Sequence, residues 1–190
     1  TAATTNGDVY VSIVPFVKDV NVDPSNYNAA WIDWTDWNSN NQCCSGHGHH
    51  QTWNPANHNT GNGCITDRGN SNGPVSGNYD TNVVAPSTTI TATLLAAEQY
   101  DPCPQAIMPL SYNWSGMKTL VNNMTPGGNT NQAIGLELGW MSLVGGGPFP
   151  TPPVMDPNLT YSQIIILLTD GFNNKDRWYS DQASDDARQS

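Results

Sequence analysis

At 190 residues the chain suits one domain of ordinary size, or one domain carrying a long insertion. Its 6 Lys+Arg stand against 16 Asp+Glu, a formal net charge of -10, which argues against partners held mainly by phosphate neutralisation: DNA, RNA or an anionic membrane face. Only 12% of residues are charged, where soluble domains carry about 25%; Asn, Thr, Ser and Gly supply the polarity instead, as in many secreted and cell-surface proteins.

Branched aliphatics are sparse, and 7 Trp and 7 Tyr offset this with large rings to bury. No segment approaches the roughly 20 apolar residues of a membrane helix. The longest apolar run is Ile164 to Leu168. No basic-then-apolar leader opens the chain, and both ends read as cut, which leaves room upstream for an export signal or anchor.

In chain order, the first element is Val9 to Phe16, β-branched and aromatic, bounded by Asn6-Gly7 and closed by Pro15. It reads as a mostly buried strand. Residues 17 to about 105 lack a sustained period; they hold all four Cys, all four His and four of the Trp. They read as a long, loop-rich insertion with its own small core. Ala106 to Leu110 is a short strand candidate. Met117, Leu120, Val121 and Met124 then recur at helical spacing, with Ser115 as N-cap. A sharp Thr125 to Thr130 loop leads to a second helix from Asn131. Its apolar face is Ile134, Leu138 and Met141, with Ala133, Trp140 and Val144 one step round, and Gly145-Gly146-Gly147-Pro148 ends it. Gln163 to Thr169 is a continuous apolar run before Asp170-Gly171, the pattern of a strand covered on both faces. Residues 180 to 189 start a last helix. Strands alternating with helices predict an α/β, mostly parallel sheet flanked by helices.

In an open parallel sheet, ligands sit beyond the carboxyl ends of the central strands. Asp170 falls there, and Thr130 falls at a loop-to-helix junction after two glycines. A carboxylate and a hydroxyl at one rim suit a hard divalent cation such as Mg2+. A cap and a turn residue are the plainer alternative for the pair.

At these residues the chain resembles the von Willebrand factor A family. The matching stretches are Thr-Pro-Gly-Gly-Asn-Thr at 125–130 with Gly135-Leu136, and Ile-Ile-Ile-Leu-Leu-Thr-Asp-Gly at 164–171. Thr130 matches that family's second metal loop and Asp170 its third. The wider chain is similar to A-type domains of bacterial TadG-like proteins of Flp/Tad pilus assembly, through residues 9–16, 63–68, 103–110 and 167–174. The resemblance implies a Rossmann-type vWA fold, incomplete at both ends, over residues 1–190, with the 17–105 insertion inside it. It also implies a non-enzymatic, extracytoplasmic adhesion or assembly module that binds a partner carboxylate, or pilus components, through Mg2+, Mn2+ or Ca2+. The family's first metal loop, Asp-x-Ser-x-Ser, occurs nowhere in this sequence. Cation affinity of this chain alone is therefore expected to be weak, since Mg2+ prefers six oxygens.

Other clusters compete for function. Cys43, Cys44, Cys64 and Cys103, with His47, His49, His50 and His58, make a Cys/His-rich patch that would suit zinc or copper, and with zinc a hydrolase. Its spacing matches no standard finger, and a low-charge, Asn-rich chain favours disulfides. Four cysteines allow three pairings, and the sequence does not choose. Cys64–Cys103 is the pairing we favour, because it would staple the insertion near its exit, with Cys43 or Cys44 in a second or vicinal bond. Trp31, Trp34 and Trp37 recur every third residue. Exposed, they would make a carbohydrate-binding row; buried, they would centre the insertion, which is the reading we prefer. Hydrolase and phosphate-loop motifs are absent.

Overall fold

The structure is a computed structural model, and it describes residues 7–39, 57–69, 85–154, 156–158 and 160–184. Within them the chain is a mixed α/β fold. Strand β1 (Val11–Ile13) pairs antiparallel with β6 (Met108–Ser111), with a register shift between Val11 and Ile13. A second sheet has the order β2 (Val20–Asn21), β4 (Cys64–Thr66), β5 (Leu95–Ala97), β3 (Ile32–Asp33). Only β3–β5 is parallel; β2–β4 and β4–β5 are antiparallel. The mostly parallel sheet expected from the sequence is thus not the arrangement of the described residues.

Three helices follow from local signals. Helix α1 (Thr35–Asn38) is a single turn that buries Trp37. Helix α2 (Trp114–Asn123) is capped by Asn113, whose side chain accepts from Gly116 N at 3.0 Å, one turn in. Ser115, the expected cap, lies inside the first turn. Helix α3 (Gln132–Val144) is capped by Asn131 and ends at Gly145, whose φ of 82° a β-carbon would disfavour. Residues 182–184 begin a further helical turn, with the Asp181 carboxylate accepting from Ser184 N at 3.0 Å.

One core joins the second sheet to α3. Ile134, Leu138 and Met141 are fully buried against Val20, Val22, Ile65, Leu95 and Phe149. Each such side chain contributes about 1.5–3 kcal/mol on burial. Gly135 lets Phe16 lie on the helix: a β-carbon there would fall 2.6 Å from the ring. Segment 17–105 therefore supplies much of the main core. It also holds a smaller cluster of Ile32, Trp37 and Ala97, flanked by Ala29, Trp31 and Trp34. Cys64 and Cys103 are joined by a disulfide, as the staple argument expected.

The largest departure is the apolar run. Residues 164–168 belong to no strand, and they are exposed, not covered on both faces. Their composition suits a sheet centre, yet no described strand lies beside them to form one.

Candidate functional site

The start of α3 meets the loop that follows the apolar run. Gly128 turns the chain at φ 82°, packed where a β-carbon would come within 3.4 Å of the Tyr100 hydroxyl. That hydroxyl donates to Asn129 Oδ1 at 3.0 Å and accepts from Asn129 N at 3.3 Å. Asn131, fully buried, donates its N–H to Val17 O and its side-chain amide to Asp67 Oδ2 at 2.8 Å.

Residues 171–174 then cross the helix terminus. Thr130 N donates to Asn174 Oδ1 at 2.8 Å and Gln132 N to Asn173 Oδ1 at 2.9 Å. Asn174 N donates to Thr130 O at 3.0 Å, and the Gln132 side chain to Gly171 O at 3.1 Å. Two amides at the helix entrance, which would otherwise attract an anion, are thereby taken by asparagine oxygens.

Thr130 and the residue after Asp170 thus lie together at one rim. A β-carbon on Gly171 would sit 3.5 Å from Thr130 Oγ1. The Asp170 carboxylate is exposed, and neither it nor Thr130 Oγ1 bonds another described side chain or backbone group. A carboxylate and a hydroxyl fit a hard cation by donor type, but two donors are a partial shell. Among the described residues no three His, Cys, Asp or Glu side chains gather to hold a metal.

Beneath this rim lies a buried network of charges that composition alone hid. Lys18, itself buried, pairs with Asp19 Oδ1 at 3.1 Å and with Glu98, and its Nζ lies 5.2 Å from the Tyr100 ring centre. Asp19 is fully buried and its Oδ2 has no hydrogen-bond partner among the described residues. Burial, with Glu98 and Asp67 adding to it, pushes the Asp19 carboxyl up to about 7 even though Lys18 pulls it down. Burial pulls the Lys18 ammonium down, and Asp19 and Glu98 outweigh it, so its shift is upward. Asp67 Oδ2 also accepts from Arg177 N at 3.1 Å, and the Arg177 guanidinium reaches both Asp67 O and Asp36. Arg68 and Glu137 form a buried ion pair between β4's end and α3. Doublets Lys18-Asp19 and Asp67-Arg68, each at the end of a buried strand in a chain with 6 cations, were the available signal.

The competing clusters separate. Trp37 is buried, edge-on to Trp34 at 5.2 Å, and one Trp34 face is stacked on His58 at 3.9 Å. The three rings do not form an open stacking row. Cys64 and Cys103 are spent on each other, which removes two thiolates from any zinc site. Cys43, Cys44, His47, His49 and His50 lie outside the described residues. Comparison of the chain with protein-family models, curated proteins and solved structures finds no match.

Proposed function

We propose that the chain is a non-enzymatic, extracytoplasmic protein-binding module of von Willebrand A type, acting in adhesion or in Flp/Tad pilus assembly. The observation that carries this reading is the meeting of the Thr130 and Asp170 loops at the α3 entrance, with Gly171 packed on the Thr130 hydroxyl. Thr130 and Asp170 would hold Mg2+, Mn2+ or Ca2+, and a partner carboxylate would complete the shell. The bound cation would supply a Lewis-acidic bridge between two carboxylates. This chain's part is to keep the two loops laced, so that both oxygens stand at one rim. The Cys64–Cys103 disulfide supports an oxidising location.

Titration of Mn2+ into the protein, read by electron paramagnetic resonance, tests the site. The expected result is weak binding, near-millimolar for a two-donor site, lost in Asp170→Ala and weakened in Thr130→Ala. Unchanged affinity in Asp170→Ala would remove the assignment.

A further inference from the structure

A tight turn forms the floor of the α3 entrance. Phe16 and Val20 bridge antiparallel, and Val17 N donates to Asp19 O at 3.0 Å. Lys18 and Asp19, inside the turn, are 3% and 0% exposed. The turn carries the helix cap: Asn131 donates its N–H to Val17 O at 3.0 Å and its side-chain amide to Lys18 O at 3.3 Å. The same amide donates to Asp67 Oδ2 at 2.8 Å. Whatever moves this turn therefore moves Asn131, and with it Thr130 and Gln132 on either side.

The charges in the turn do not balance. Two carboxylates, Asp19 and Glu98, share the Lys18 ammonium. The Glu98 side chain is 25% exposed and reaches water; Asp19 does not, and its Oδ2 has no hydrogen-bond partner among the described residues. The other groups facing it do not supply a second cation. Asp67, after β4, adds negative charge and is itself held by Asn131 and by Arg177 N. Tyr100, after β5, has its ring centre 5.2 Å from Lys18 Nζ and 6.0 Å from Lys175 Nζ. Arg68 is paired with Glu137 of α3. A neutral carboxyl is tolerated in such a place, whereas an ionised one leaves a charged oxygen bare and out of water. The rise of the Asp19 carboxyl to about 7 has that cause first.

We propose that the Phe16–Val20 turn is a proton-operated latch on the α3 entrance: with Asp19 protonated the turn seats Asn131, and with Asp19 ionised it lifts to hydrate Oδ2 and lets Asn131 go. The latch is closed in acid and loosens as pH rises through neutrality, because the folded chain holds this proton more tightly than the unfolded chain does. Its consequence is a Thr130 rim that is ordered below neutrality and loosened above it. Any effect on binding rests on the rim reading proposed above; the latch itself needs no cation and no partner.

The test is heteronuclear NMR of the amide signals of the protein alone, without added cation, from about pH 5.5 to about pH 8.5. The backbone signals of Thr130, Asn131 and Gln132 and the Asn131 side-chain amide are expected to move together, with a midpoint near 7. Above it the Asn131 N–H is expected to lose about tenfold of its protection from exchange. Asp19→Asn should hold these signals at their low-pH positions throughout. In Glu98→Gln, Asp19 has the Lys18 ammonium to itself, and the midpoint is expected to fall by about one pH unit. Signals that ignore pH, a midpoint that persists in Asp19→Asn, or one that does not move in Glu98→Gln would each overturn the latch. So would a transition through which Asn131 keeps its protection, since that is titration without release.

Discussion

Asp19 is the residue with the most to lose from its surroundings. A carboxylate with an oxygen sealed from water and unbonded is costly when charged, and its value near 7 against the ordinary 3.8 expresses that cost. The folded chain thus holds a proton there more tightly than the unfolded chain does. Its contribution to stability is fully present below the unfolded value, declines as pH rises toward 7, and is gone above it. Asp19→Asn is expected to flatten the urea-midpoint profile between about pH 4 and pH 7 and to raise the midpoint at about pH 8, with Glu98 still pairing Lys18. Parallel profiles for the two proteins would show that Asp19 does not carry this dependence. The sequence offered only the Lys18-Asp19 doublet, which by itself looks like any solvated charge pair; burial comes from strands 40 and more residues away.

Among the elements, helices were the most legible and strands the least. The i, i+3, i+4, i+7 spacing located α2, and Asn131 and the Gly145 stop bounded α3, because a helix satisfies its own hydrogen bonds and needs only one covering face. Strand pairing is non-local. Val9 to Phe16 read as one strand, but only Val11–Ile13 finds β6, and Ile164 to Leu168 finds no described partner. The disulfide belongs to this scale as well: it closes a separation of 39 residues and ties β4 to the segment before β6. Replacing both cysteines by Ser is expected to cost roughly 4 kcal/mol by loop entropy, read as a lower urea midpoint with an increased slope. A change below about 1 kcal/mol would mean that the sheet alone holds β4 in place.

For the whole molecule, the α/β class was legible from alternating strand and helix patterns, and the rim could be located because its two loops carry glycine punctuation. What the sequence hid is that the 17–105 segment and the 170–179 segment grip the same structure from two sides. Arg177 is the joint: its N–H and guanidinium hold Asp67 beside β4, and its other end holds Asp36 in α1. Arg177→Ala takes the guanidinium away from the Asp36 carboxylate and from the Asp67 carbonyl in a largely buried place and is expected to cost about 3 kcal/mol. Hydrogen exchange should quicken together at Asn38–Ser39, whose N–H groups close α1, and at the α3 entrance. Acceleration at one location alone would show that the two segments are not joined through this guanidinium.

Arg177 is anchored on the far side of Asn173 and Asn174 from the rest of the loop. Tension pulling on the chain past Tyr179 therefore loads that mooring first, and the Asn–amide lacing second. Asp170 would feel the pull only after both had parted, so the rim keeps its shape under force that would already have distorted the surrounding surface.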